Sequence, residues 1–134
     1  GARGINNHMG SKATADRNTM SYALSIARRE GLFFLDSRTT HRTVALEVAR
    51  EKEVPAAERN VFLDNVREGD AIRAALQEGV AIARERGYAV LIGHATSPEL
   101  AVVLAQEAPA IREAGLGFFH LSDLMAETHA GTWD

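Results

Sequence analysis

Short apolar runs recur along the chain, and each gives way to a polar cluster and then to a helical pattern. The runs at residues 4–6, 32–35, 61–63, 88–92 and 116–119 predict strands. Their continuous rather than alternating apolar character suits strands buried in a parallel sheet. Between them the spacing changes. Over residues 97–112, Leu100, Val103, Leu104 and Ile111 fall on one stripe, as an amphipathic helix requires. Ser97 is a natural N-cap, and Pro98 and Glu99 suit the first turn, where no backbone hydrogen bond is lost and the helix dipole favours an acid. Residues 67–86 carry Ile72, Leu76, Val80 and Ala83 on a second stripe and stop at Gly87. A helix over 15–30 ends at Gly31, a shorter one over 40–52 stops before Val54-Pro55, and a last one follows Ser122.

Strands alternating with helices imply βα units, a parallel sheet and right-handed crossovers. The count is five units. A closed eight-unit barrel takes about 250 residues, so the pattern predicts either a small open α/β domain or part of a barrel. Three prolines, no Ser/Gly-rich stretch and no internal repeat make residues 1–134 a single predicted domain.

Composition narrows the function classes. Fifteen Lys and Arg stand against 18 acidic residues, a formal net charge of −3, so a surface tracking nucleic-acid phosphates is not expected. The absence of cysteine excludes disulfides, thiolate nucleophiles and cysteine-ligated zinc, and leaves the compartment open. No apolar run approaches the roughly 20 residues of a membrane helix, so no membrane span is expected.

Each predicted strand runs into polar residues at its carboxyl end: "NNHMGS", "DSRTT", "DN", "GHATS" and "HLSD". In parallel α/β folds that edge gathers ligands and catalytic groups. Asn6, Asn7, His8, Asp36, Ser37, Arg38, Asp64, Asn65, His94 and His120 are therefore expected along one rim. Polar residues also cap the helices that follow such loops. Thr39, Thr40 and Ser97 read as caps, while Asp64, Asn65 and Ser122 fit either role. His94 follows "AVLIG", a central strand by its apolar character, and a histidine buried there needs a partner. Asp36 ends "LFFL" and also needs one: Arg38, a metal or backbone N–H groups. Arg38 either binds a substrate carboxylate or neutralises Asp36. His120 fits a rim histidine or a ligand, and His41 and His129 read as surface residues. Two histidines and a carboxylate on one rim suit zinc or a similar metal in a hydrolase. No HExxH spacing and no G-x-S-x-G elbow is present.

Taken in order, "GINNHMGSKAT", "GLFFLDSRTT", "VFLDN" and "AVLIGHATSPEL", with "GLGFFHLSDL" as a looser match, resemble the divergent polysaccharide deacetylase family of bacteria. The resemblance implies a distorted (β/α) barrel of the polysaccharide deacetylase type, exported to the periplasm or beyond. It implies hydrolysis of acetamido groups on an acetylated glycan, with a divalent metal, commonly zinc, polarising the carbonyl, an aspartate as base and a histidine as acid. Carried onto this chain, His8 and His94 become metal ligands, and His94 and Asp36 become catalytic residues. Asn6, Asn7, Ser37, Arg38, Asp64 and Asn65 become substrate contacts.

Two departures accompany the resemblance. The superfamily's histidine loop carries a second ligand four residues on, and that position is Lys12. The loop also begins three residues after Gly1, whereas the family places a strand with paired aspartates well before it. The chain is thus expected to be the C-terminal part of a larger domain, inactive alone, with an exposed sheet edge through which two copies could pair. The alternative function is a deacetylase-like domain without activity that binds a glycan or a protein partner in the cell envelope.

Overall fold

The computed structural model describes residues 1–129, so residues 130–134 of the expected domain lie outside the described part. In chain order the elements are β1 (Gly4–Asn6), α1 (Ser11–Thr14), α2 (Arg17–Arg29), β2 (Phe33–Asp36), α3 (Ala45–Glu51), β3 (Ala56–Glu58), β4 (Val61–Phe62), α4 (Gly69–Arg86), β5 (Leu91–Ile92), α5 (Pro98–Glu113) and α6 (Leu121–Thr128). The parallel α/β character expected from the alternation is present. Every strand pair is parallel, with β1, β2 and β3 adjacent in one sheet and β4 and β5 forming another. The chain divides into two compact units: Gly1–Glu58 with the segment from Phe119 onward, and Arg59–Phe118.

In the first unit, Ile5, Phe34 and Ala56 share a register across the three strands. One face of the sheet is covered by α2 and α3. Met20, Leu24 and Ala27 pack with Phe34, Ala45, Val48, Ala49 and Val54. The helix expected over 15–30 forms as α2, and the short α1 precedes it across Asp16. That residue takes extended backbone, and its Oδ1 accepts the Thr19 N–H at 2.7 Å, which caps α2 and ends α1 before it. Arg17 ties α2 to α3 by pairing with Glu47 and Glu51, one turn apart.

The strand β3 was not legible as a run. "AAE" after Pro55 has neither β-branched nor aromatic residues, and it is drawn into the sheet by pairing with β2, where Phe34 N–H donates to the Pro55 carbonyl at 2.9 Å.

In the second unit, α4 and α5 bury Ile72, Leu76, Leu100, Val103 and Ile111 against Val61 and Leu63. Gly79 marks the closest approach of α4 to β5, since a Cβ there would lie 2.4 Å from Leu91 Cδ2. The helix ends as expected at Gly87, whose φ of +91° needs no side chain.

The strand expected over 116–119 does not form. Leu116 N–H instead donates to the Ile111 carbonyl at 3.2 Å, behind Gly115 at φ +82°, so the run closes the end of α5 rather than joining a ladder. The Arg112 guanidinium lies over the Phe118 ring, 5.7 Å from its centroid. Among the described residues no helix is long and apolar enough to cross a membrane.

Candidate functional site

Register builds the chemistry of the second unit. Val61 pairs with Leu91 and Phe62 with Ile92, and the ladder continues with Leu63 N–H donating to the Ile92 carbonyl at 2.8 Å. Two residues beyond the last pair, Asp64 comes opposite His94. Side chains alternate along a strand, so Phe62, Asp64 and His94 share one face. The Asp64 side chain is fully buried, while that of His94 is 40% exposed.

The two are joined twice. Asp64 Oδ2 accepts the His94 backbone N–H at 3.1 Å, and Oδ1 lies 3.0 Å from His94 Nδ1. A carboxylate accepts and does not donate, so Nδ1 is the donor. In the neutral ring the proton sits on Nδ1 and Nε2 carries the lone pair; the doubly protonated ring gives Nε2 a proton to donate. Phe62 flanks the imidazole with ring centroids 5.4 Å apart and planes 50° apart, and Arg59 lies 5.5 Å from the Phe62 centroid.

Gly93 makes this arrangement possible. A Cβ at position 93 would fall 2.3 Å from Leu100 Cδ2 and 3.6 Å from Asp64 Oδ1. Asp64 caps no helix: α4 starts from Glu68, which makes no side-chain capping bond.

A second polar cluster lies in the first unit, where the loops after β1 and β2 are stitched together. Asn7 Oδ1 accepts the Ser37 N–H at 2.8 Å, and Asn7 Nδ2 donates to Thr39 Oγ1 at 3.4 Å. Asn6 Nδ2 donates to Ser37 Oγ at 3.2 Å, and Ser11 Oγ donates to the Thr39 carbonyl at 3.0 Å. Asp36 is buried. Its Oδ1 accepts the Arg38 N–H at 2.8 Å and its Oδ2 accepts the Thr43 hydroxyl at 2.7 Å. That turn holds Arg38 at φ +51°, a conformation uncommon outside glycine. The Arg38 guanidinium meets Glu58 at 2.6 Å, so Asp36 is satisfied by the Arg38 backbone rather than its side chain.

Thr39 and Thr40 do not cap a helix. The residue at that position of α3 is Val44, and Thr43 Oγ1 accepts the Ala45 N–H at 3.2 Å. Ser97 does cap α5, accepting the Leu100 N–H at 3.4 Å.

Of the residues expected along one rim, the first unit thus brings together Asn6, Asn7, Asp36, Ser37 and Arg38, and the second brings together Asp64 and His94. His8 is exposed, as are Lys12, Asn65 and His120. Ser122 lies within α6, its Oγ 3.5 Å from Asp123 Oδ1. Among the described residues no three His, Cys, Asp or Glu side chains gather where they could hold a metal ion. These donors therefore do not by themselves fit a three-ligand zinc site.

Sequence reasoning missed Thr43, Glu58 and Phe62, and it marked Gly93 as a point of close approach, which the Leu100 side chain makes there. The signal for Phe62 was present. Phe62 and Asp64, like Ile92 and His94, are spaced by two, which puts them on one face once the strands pair in register.

Comparison with known proteins places the chain in a family. The family model described as divergent polysaccharide deacetylase matches residues 1–125. An uncharacterized protein of Haemophilus influenzae is 40% identical over 104 residues, covering 78% of this chain and 37% of that protein. Uncharacterized protein YibQ of Escherichia coli is 39% identical over 93 residues, covering 69% of this chain and 29% of its own length. The chain thus spans well under half the length of these relatives. A crystal structure of an uncharacterized protein from Agrobacterium tumefaciens shares the fold, with a TM-score of 0.72 at 22% identity over 81% of this chain and 45% of that one.

Proposed function

The chain belongs to the divergent polysaccharide deacetylase family, and we propose that it supplies the proton-transferring histidine for hydrolysis of an acetamido group on a bacterial cell-wall or related glycan. One observation carries this reading: the imidazole of His94, held through Nδ1 by the buried carboxylate of Asp64, with the ring partly exposed. Amide hydrolysis adds water to the acetyl carbonyl, breaks the C–N bond, and requires a proton on the departing nitrogen, since an amide anion is too poor a leaving group. A protonated His94 donates that proton from Nε2, and the C–N electron pair leaves with the amine as acetate forms. Asp64 keeps the reacting nitrogen outward by occupying the other one. A second group must act as base towards the attacking water.

In this proposal Asp36, buried and saturated by Arg38 N–H and Thr43, positions Arg38 rather than reacting itself. Within the first unit Asn6, Asn7 and Ser37 hold the two loops together beside Arg38, which meets glycan hydroxyl or carbonyl groups there; Asn65, in the second unit, is a separate glycan contact. His8 is exposed and offers its imidazole to the glycan or to a metal. An acetylated cell-wall glycan places the work in the periplasm or outside the cell.

Lys12 favours a second reading, that of an inactive domain which binds the glycan, because it stands where the superfamily's second histidine would be. Acetate release from acetylated chito-oligosaccharides and peptidoglycan by the whole protein, wild type and His94→Gln, separates the two. Release by wild type that is lost in His94→Gln supports hydrolysis. Binding without release by wild type supports the second reading.

A further inference from the structure

We propose that Phe62 is a positioning residue for His94: its ring holds the imidazole in the orientation that presents Nδ1 to Asp64 and leaves Nε2 outward. The inference deepens the reading that His94 works through Nε2, and it rests on that reading for its consequence in catalysis. Its physical basis is independent of it.

Asp64 grips the imidazole at one atom. Oδ1 lies 3.0 Å from Nδ1, while Oδ2 is taken by the His94 backbone N–H. One hydrogen bond fixes a point on the ring and not its plane, and a ring 40% exposed has water, not a wall, along much of its edge. Rotation about the Cβ–Cγ bond would carry Nδ1 to solvent and bring carbon to the carboxylate. A ring packed beside the imidazole opposes the out-of-plane swing that such a rotation passes through and that takes Nδ1 off the carboxylate.

Phe62 supplies that ring. It stands two residues before Asp64 on the same face, diagonal to His94 across the parallel pair, and its ring centroid lies 5.4 Å from that of the imidazole. The Phe62 ring is itself held. Val61 and Leu63 on either side of it are buried in the core of the unit, and the Arg59 guanidinium lies 5.5 Å from its centroid. The carboxylate sets which nitrogen carries the proton while the bond is made, and the aromatic ring keeps the imidazole in the plane that lets the bond be made.

That difference is observable without turnover. A histidine unconstrained in water places its proton mainly on Nε2, whereas the Asp64 bond requires it on Nδ1. Histidine labelled with ¹⁵N in the protein reports the tautomer of the neutral ring from its ring nitrogen shifts. Wild type and Phe62→Tyr, which keeps the ring, are expected to show the Nδ1–H form of His94. Phe62→Leu is expected to show a several-fold rise in the Nε2–H form. An unchanged Nδ1–H signature in a folded Phe62→Leu protein, judged by slow exchange of the Leu63 amide, would overturn the proposal.

Should Phe62→Leu fail to fold, Phe62→Ile reads the same equilibrium. Failure of both would make Phe62 a core residue and likewise overturn the proposal. The deacetylase reading fails separately, through wild type that shows the Nδ1–H tautomer and releases no acetate.

Discussion

The carboxylate of Asp64 and the imidazole of His94 stand opposite each other two residues beyond the last paired residues of β4 and β5, and the buried acid accepts both the backbone and the ring N–H of its neighbour. Two parallel strands in register deliver that contact from residues 30 positions apart. The bond occupies Nδ1, so the proposed proton transfer falls to Nε2. Fold and proposed chemistry therefore meet in one strand register.

Asp64→Asn tests the chemistry. The amide can turn its NH2 towards Nδ1, which makes that nitrogen an acceptor and moves the ring proton to Nε2. The site then holds the neutral ring in the wrong tautomer while the shape of the unit is kept. Acetate release is expected to fall by about 10²-fold or more, with glycan binding and circular dichroism close to wild type. Full activity in Asp64→Asn would remove Asp64 from the proposal.

Gly93→Ala tests the packing beneath the same pair. The added Cβ would meet Leu100 Cδ2 at 2.3 Å, inside a core that includes Leu63, Ile72 and Val103. Overpacking of this kind costs about 1–3 kcal/mol, to be read as a lower urea midpoint at unchanged slope. Leu100→Ala in the same chain gives the methyl room, so the double variant should lose less than the sum of the two single losses. Additive losses would show that the Leu100 contact is not the cause.

How much of this was legible follows from range. Helices 67–86 and 97–112 were marked by their own stripes and ends, because Gly87 and Ser97 act locally, and both ends are found where expected. The strand at Ala56–Glu58 exists by virtue of its neighbour β2, and the apolar run at 116–119 was absorbed in closing α5. Neither outcome is encoded in a window of a few residues. His94 and Asp64 could each be singled out as polar groups ending apolar runs. That they bond to one another depended on register, which a sequence pattern does not state.

Asp36→Ala addresses the loop that carries Arg38. The carboxylate is buried and accepts from the Arg38 N–H and the Thr43 hydroxyl, so its removal leaves two donors without their acceptor. Each orphaned donor costs about 1–3 kcal/mol. Asp36→Asn keeps one acceptor and should lose less. Denaturant midpoints in the order wild type, Asp36→Asn, Asp36→Ala are expected. An Asp36→Ala protein as stable as wild type would show that the turn is not held by this carboxylate.

Asp16 gives a pH signature for the break between α1 and α2. Hydrogen bonds from Thr19, with the charge of Lys12 nearby, hold its carboxyl below the usual carboxylate range in the folded chain, against a smaller opposing effect of desolvation. A depressed folded value means that the folded state binds the proton less readily than the unfolded one. The resulting stability is present above the unfolded carboxylate value and is lost as the pH falls through the folded one. Asp16→Ala should therefore lower the melting temperature at neutral pH, and its deficit should shrink at a pH below the folded carboxyl value. Asp16→Asn retains an oxygen that can cap Thr19 and has no charge to lose, so its melting temperature relative to Asp16→Ala should not change with pH in that range. A deficit in Asp16→Ala that is the same at both pH values would mean that the ionised cap contributes nothing beyond its shape.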